Sequence, residues 1–523
     1  AAFLALNDLL LDKVAKGPLL LSLEDVHWAD EASLEWLLSL ADRVQNEGQG
    51  RQLLVLCQSR PDSAFTALSL GERVDLAKII LRPLSREASL SVAAALLSAT
   101  IEGLPAPVQT LLDQVLSRSE GNPFYLAELL KTLIDGSVLV RQGATWAVSK
   151  PAGEFRLPTT VQGAIAARLD RLRPDLRKTI QVAAVVGRSF DPQLLERVTG
   201  KIPPEIIDEL TKLGFFYTRS TGEVAFTQAM SQEVTYQNLL ISTRRDLHRQ
   251  VAQVVEEDAK SDPQSVARTL AFHYVRAEVA DKASRYLLLA GNQARLGFAL
   301  AEALASYRGA IEWLEQAGGS VPGVDPAEIL AGLASVEILT GDLVSALEHL
   351  EAALGQLHDG PLAAECHRQV MKALIRKGDN RSALERVNSR LIVEQDTTER
   401  AVLLTTRAEI DAGQGHLDEA TTDCREALTL LTGSDHKKEL AGVYNVLGNT
   451  AYLRRSPEAI EHYQKNLALR EDLRDLPGMA TGLNNLALAQ AAAGQWTTAI
   501  DAYNRALKIY AKIGDVSMVA NIQ

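Results

Sequence analysis

At 523 residues the chain has room for about three or four domains of ordinary size, each with a core of its own. Hydrophobic residues make up 46% and aromatic residues only 5%, which suits Ala/Leu-rich helices and disfavours an all-β protein. With 54 Lys and Arg against 66 Asp and Glu the net charge is −12, so no global basic field draws the chain to nucleic acid. The three cysteines, Cys57, Cys366 and Cys424, are far apart and outside metal-ligand spacing. They fit a reducing compartment better than a disulfide framework. No apolar run is long enough to span a bilayer, and the start has no signal-peptide pattern. A cytoplasmic setting without membrane contact is expected. Because the chain starts without Met and stops inside a helical repeat, it is expected to be an internal piece of a longer protein.

Residues 4–14 carry an amphipathic pattern that predicts a helix. Leu19-Leu20-Leu21-Ser22-Leu23 follows as a short apolar strand ending in the adjacent carboxylates of Glu24 and Asp25. A buried strand with an acidic pair at its C-terminal tip suits holding Mg2+ and orienting a water beside a nucleotide phosphate. Ligands of open α/β sheets also bind outside the carboxyl ends of the strands. The same pattern equally describes a core strand whose carboxylates cap the next helix. Asp30 is the expected N-cap of that helix, whose apolar face carries Trp36, Leu37, Leu40 and Val44. After a break at Gly48 and Gly50, Leu53-Leu54-Val55-Leu56-Cys57 reads as a second buried strand, and Ile79-Ile80-Leu81 as a third. Arg60 lies in the turn Gln58-Ser59-Arg60-Pro61; by itself it is a loop Arg made rigid by Pro61.

Residues 83–140 read as helical. Within them Gly121-Asn122-Pro123 places Asn as N-cap and Pro at the first helical position. Next, Thr159 is the expected cap of a helix carrying Val161, Ile165, Leu169 and Leu172, and a second helix runs to Gly187. Residues 215–219 and 224–227 flank Ser220-Thr221-Gly222-Glu223, a hairpin signal. Three helices and a hairpin make a winged helix.

From about residue 264 the pattern is helical and self-similar. Ala346, Ala383, Ala420, Ala459 and Ala499 open the second helix of successive pairs at spacings of 37, 37, 39 and 40 residues. Gly341, Gly378, Gly415 and Gly494 precede four of these anchors by five residues, and Arg454 breaks the pattern once. Leu350, Val387, Cys424, Tyr463 and Tyr503 follow the anchors by four residues, a buried packing position that marks Cys424 as core. Gly ends a first helix, Ala lets the second approach, and a bulky residue fills the gap. These segments resemble tetratricopeptide repeats of the longer variety. An irregular pair around Ala283 and Ala303 joins the array to what precedes it. Asn445, Asn449, Asn484 and Asn485 fall on the first helices of neighbouring repeats, which line the groove of such arrays. They are the candidate partner-binding residues, with solvated helix positions as the plain alternative.

The string Leu23-Glu24-Asp25-Val26-His27-Trp28-Ala29-Asp30 resembles the Walker B segment of the STAND class of AAA-like signalling ATPases, often fused to bacterial nucleotide cyclases. The resemblance implies a mainly α chain. It divides into a truncated α/β P-loop NTPase core (1–82), a helical lid (83–140), a winged helix (141–253), a helical connector (254–325) and an α-solenoid of tetratricopeptide repeats (326–523). It further implies ATP and Mg2+ as cofactors. Glu24 would hold Mg2+, Asp25 would orient or activate water, Arg60 would read the terminal phosphate, and Pro123 would pack against the adenine. The hairpin exit Phe226-Thr227-Gln228-Ala229-Met230 is similar to a family stretch that usually carries His where this chain has Gln228, so that nucleotide contact is not carried over. Arg244-Arg245-Asp246-Leu247-His248 matches the family's ending of this block, and the pattern over 157–314 leans towards the cyclase-linked type. No Gly-x-x-x-x-Gly-Lys-Ser/Thr loop occurs in the sequence. The resemblance therefore implies a phosphate cradle upstream of residue 1, and weak ATP binding and no ATPase activity for this segment alone.

Two functions of different kinds follow. One is a regulatory ATPase switch, with a protein or peptide bound in the repeat groove as input, a fused domain upstream or downstream as output (a cyclase above all), and nucleotide-dependent homo-oligomerisation. The other is a non-enzymatic repeat scaffold with a degenerate ATPase. A DNA-reading winged helix is disfavoured by the acidic balance.

Overall fold

A computed structural model describes residues 2–14, 16–29, 31–47, 52–60, 77–143, 145–149, 157–200, 204–297, 299–358, 360–433 and 435–513. The chain divides into two compact units. One comprises residues 1–78, 294–304 and 330–523, the other residues 79–293 and 305–329. Among the described residues no helix is long and apolar enough to cross a membrane.

The first unit begins with α1 (Ala2–Val14), β1 (Leu19–Leu23), α2 (Glu31–Glu47) and β2 (Leu53–Cys57). β1 and β2 pair in parallel, Leu19 opposite Leu53 and Leu23 opposite Cys57. Both strands therefore end on the same side, as a crossover through one helix requires. Leu21, Leu23, Leu53 and Val55 pack against Trp36, Leu37 and Leu40 of α2. Leu20, Leu54 and Leu56, on the other face, are exposed. A buried hydrogen bond of 2.8 Å from Trp36 Nε1 to Asn7 Oδ1 ties α2 to α1. Asp30, Gly48 and Gly50 lie outside the described residues.

The second unit opens with a correction. Ile79, Ile80 and Leu81 are 80%, 71% and 90% exposed and join no sheet among the described residues. Apolar β-branched side chains favour extended backbone, but only a paired edge makes a strand. Then come α3 (Arg86–Leu97), α4 (Ala106–Ser119), α5 (Pro123–Asp135) and an antiparallel hairpin of β3 (Leu139–Gln142) and β4 (Thr145–Val148). Leu97, Val108, Leu112, Leu126, Leu129 and Leu133 form their core. The chain continues through α6 (Val161–Asp170), α7 (Pro174–Val186), β5 (Ser189–Phe190), α8 (Pro192–Thr199), α9 (Pro204–Lys212), β6 (Phe216–Thr218), β7 (Val224–Phe226), α10 (Ala229–Gln237) and α11 (Ile241–Asp258). The expected hairpin is present, and β5 joins it in an antiparallel sheet of order β5-β7-β6. Phe190, Phe216 and Phe226 meet edge to face at centroid distances of 5.0 to 6.3 Å beneath it. Thr160, not Thr159, caps α6, its hydroxyl accepting from Gly163 N. Three more helices follow, α12 (Ala267–Ala277), α13 (Ala280–Leu296) and α14 (Leu300–Gln316).

The repeats form five helix pairs: α15 (Pro326–Thr340) with α16 (Leu343–Leu354), α17 (Pro361–Lys377) with α18 (Asn380–Val393), α19 (Thr397–Gln414) with α20 (Leu417–Leu430), α21 (Lys437–Leu453) with α22 (Glu458–Asp472), and α23 (Leu476–Ala492) with α24 (Trp496–Ile513). All five anchor alanines are at most 2% exposed. Gly341, Gly378, Gly415 and Gly494 end their first helices at φ of 76° to 89°. In the remaining pair Arg455, not Arg454, takes that left-handed position at φ 55°. The turn geometry is kept where the glycine is not, at the steric cost an L side chain pays there.

Candidate functional site

Glu24 and Asp25 protrude from the end of β1 between two backbone hydrogen bonds to one residue. Gln58 N donates to Leu23 O and Val26 N donates to Gln58 O, each at 2.9 Å. The two intervening residues are thereby looped out past the strand. Asp25 sits in left-handed backbone at φ 55° and ψ 37°. Asp tolerates that region better than most side chains, and such residues persist where surrounding structure enforces them. Here the enforcement is the Gln58 clamp, which the sequence did not reveal. Glu24 is exposed and Asp25 half-buried. Arg60, also exposed, follows Gln58 by two residues, and Ser59 Oγ donates to Arg60 O at 3.1 Å. Glu24, Asp25 and Arg60 thus belong to one end of the β1–β2 pair.

Pro123 belongs to the second unit. It is exposed at the first position of α5, where Asn122 Oδ1 accepts from Phe124 N and Tyr125 N at 3.0 Å each. Gly121 in front of it is left-handed at φ 76°, and a Cβ there would lie 2.5 Å from Leu84 O, so only glycine fits this turn. The other end of α5 is held by charge. Arg168 of α6 is 2% exposed and donates to Glu128 Oε2 at 2.7 Å, Asp135 Oδ2 at 2.8 Å and Leu213 O at 2.5 Å, with its guanidinium 4.5 Å above the Phe215 ring.

In the array, Asn485 Nδ2 of α23 donates to Asn445 Oδ1 of α21 at 3.0 Å, and Asn484 Nδ2 reaches Asn485 Oδ1 at 3.5 Å. Tyr463 Oη donates to Asn449 Oδ1 at 2.7 Å. The four expected amides are brought onto two neighbouring first helices. The oxygens of Asn445 and Asn449 are engaged, while their Nδ2 groups have no acceptor among the described residues. Cys424 is fully buried, and burial pushes its thiol up to about 12, so it is a core group and no nucleophile. One polar feature escaped the sequence reading. Arg407 occupies the register position where other repeats bury Leu333, Val370, Leu447 and Leu486. It forms a bidentate pair with Asp423 at 2.6 and 2.8 Å, donates to Asn388 at 3.0 Å, and lines an open cleft of about 580 Å³ between α18, α19 and α20. The available signal was an Arg in an otherwise apolar column.

Residues 439–512 match the family model for the tetratricopeptide repeat. An uncharacterized protein of Rhizobium meliloti (strain 1021) is 27% identical over 327 residues, which is 61% of this chain. The chain spans about 30% of that relative's length. Among solved structures, the chain is similar to a signal transduction ATPase with numerous domains that carries a tetratricopeptide repeat sensor, from Pyrococcus horikoshii. That similarity has 14% identity, covers 96% of this chain and 79% of the other, and has a TM-score of 0.39. A Rap protein complexed with competence and sporulation factor is similar at 16% identity over 50% of this chain and 80% of that one, with a TM-score of 0.36. The C-terminal helix pairs α21 to α24 are thus tetratricopeptide repeats, a module whose stacked helices bind proteins or peptides.

Proposed function

We propose that this chain is the ligand-receiving part of a nucleotide-dependent regulatory switch. The repeats take a protein or peptide as input, and the elements before them respond to ATP and control an output domain fused to the same polypeptide, a nucleotide cyclase above all. The observation that carries this reading is the clamped protrusion of Glu24 and Asp25 at the end of parallel strands, in one chain with a repeat array. In this reading the segment from α6 to α11 is a winged helix that senses the nucleotide state.

The residues present suit one wall of a nucleotide site. Among the described residues no group of three His, Cys, Asp or Glu side chains converges on a metal position. Mg2+ is commonly held by one or two carboxylates together with phosphates and waters, which Glu24 would satisfy. Asp25 would orient water, Arg60 would meet the terminal phosphate and Pro123 the base. The phosphate cradle would come from chain preceding this segment, because the sequence offers no glycine-rich loop. When bound, ATP would supply the free-energy difference between two domain arrangements.

Calorimetry with Mg-ATP, on this chain and on the same chain extended N-terminally by its preceding coding sequence, tests the reading. Binding is expected only in the extended chain, and Glu24→Gln or Asp25→Asn should weaken it by about tenfold or more, the effect of losing one charged contact. Tight binding by the short chain would displace the phosphate site from where it is put here. Absence of binding by either would favour the repeat scaffold, a reading to which Gln228, standing where the resembled family usually has His, also points.

A further inference from the structure

Aligning the repeats on the left-handed residue that ends each first helix gives one continuous stripe along the array. Six residues before Gly378, Gly415 and Arg455 stand Lys372 on α17, Glu409 on α19 and Asn449 on α21. Four residues earlier stand Arg368, Thr405 and Asn445, and the same count on α23 gives Asn484. Positions four apart on a helix share a face, so these residues form one wall across four successive first helices. Arg368 is committed to Glu365, at 2.6 and 3.0 Å, and to Glu399. Lys372 and Glu409 are not committed. They lie within electrostatic reach of each other, yet neither closes an ion pair with a described residue.

Both side chains are exposed, yet their surroundings crowd them. Burial pushes the Glu409 carboxyl up and the Lys372 ammonium down, with Arg376 and Lys438 also opposing the ammonium and Glu365 supporting it. Open tips with costly solvation are what the wall of a concave groove produces, and a charge there that closes no ion pair gains from an incoming opposite charge. The stripe thus changes character along its length, from cation through anion to amides.

The helix spacing turns this order into a sequence. α17, α19, α21 and α23 touch in succession, and packed helices lie about 8–10 Å apart. An extended chain advances about 3.3 Å per residue, so about three residues of peptide pass each first helix. We propose that the groove takes an extended peptide with a charge order to match. A carboxylate side chain meets Lys372, a cationic side chain about three residues further on meets Glu409, and an uncharged stretch of about six residues passes α21 and α23, its carbonyls accepting from the Nδ2 groups of Asn445 and Asn449. The assignment rests on the array being a peptide receptor, and it adds the ligand's charge order.

Fluorescein-labelled decapeptides of the pattern Asp-Ser-Ala-Lys followed by alternating Ala and Ser test it, against peptides with Asp and Lys exchanged. Both sets are made in both chain polarities. Anisotropy titration of the whole chain is expected to favour the Asp-first order, counted from the charged end, by about tenfold in one polarity. The doubly reversed variant Lys372→Glu/Glu409→Lys should invert that preference, and Asn445→Ala/Asn485→Ala should weaken all probes alike. Both charge positions are exposed, so an unchanged helical circular dichroism signal is expected and checks the fold. Equal binding of the two orders, or a preference that the reversal does not invert, overturns the charge-order assignment and leaves the receptor reading standing. No binding of any probe by any variant overturns both.

Discussion

Arg168 ties α5 and α6 of the second unit to the segment that leads into β6. Its three hydrogen bonds and the Phe215 face satisfy a charge that is almost wholly removed from water. Its partner Glu128 is equally buried and, among the described residues, is otherwise paired with Lys131 at 3.2 Å. Removing one member of such a pair leaves the other charged and unsolvated. Arg168→Met is therefore expected to cost about 3–5 kcal/mol in urea denaturation, much of it recovered by adding Glu128→Leu. A cost under about 1 kcal/mol would place the pair among weak surface-like contacts. Gly448 offers a second test. A Cβ there would lie 2.6 Å from the Tyr463 ring, so Gly448→Ala should destabilise by about 1–3 kcal/mol through overpacking, and a smaller residue at 463 should relieve it. The same device recurs at Gly291 and Tyr307, where the tyrosine hydroxyl again donates at 2.7 Å to the following asparagine, Asn292. This places the repeat packing earlier in the chain than the anchor alanines alone suggest. None of these contacts was legible in the sequence, since each joins residues on different helices whose register only packing fixes.

Among the elements, α10, α11 and α12 meet at a chain of polar rings. Tyr236 Oη lies 3.0 Å from His248 Nε2, and His248 Nδ1 lies 2.8 Å from His273 Nδ1. Two such nitrogens can share one proton but not two, so the two imidazoles cannot both be charged. Burial, with Arg276 and Arg244 adding repulsion, pushes His248 down to about 3; burial and Arg276 push His273 down to about 4. An unfolded His titrates near 6.5, so below that pH the unfolded chain takes up protons that the folded chain refuses. The stability is present in full above about pH 6.5 and is lost as the pH falls towards about 4. The urea midpoint should therefore fall between about pH 7 and about pH 5, and His273→Asn, with one titrating ring fewer, should flatten that fall. A midpoint indifferent to pH across this range would contradict the neutral pair. At this scale the sequence is informative where a local signal suffices. β1 and β2 have the bounds expected of them, as short apolar runs between breaks, and Asn122-Pro123 starts α5 as its capping chemistry requires. It misleads at Ile79-Ile80-Leu81, where composition favours a strand and pairing decides otherwise. It is silent at β3 and β4, whose connecting turn contains a left-handed Gly143.

Over the whole molecule, periodicity made the repeats visible because every pair repeats one local solution. The clamp of Gln58 on the acidic tip and the meeting of Asn445 with Asn485 are tertiary and left no periodic trace. Of the residues proposed for the nucleotide site, Glu24, Asp25 and Arg60 belong to the clamped end of the β1–β2 pair. The central claim is that Mg-ATP engages this acidic tip. Hydrogen exchange on the N-terminally extended chain, with and without Mg-ATP, measures this most directly. The account expects slowed exchange at residues 23–26 and at residues 58–60. Nucleotide bound by calorimetry with unchanged exchange at both places would contradict it.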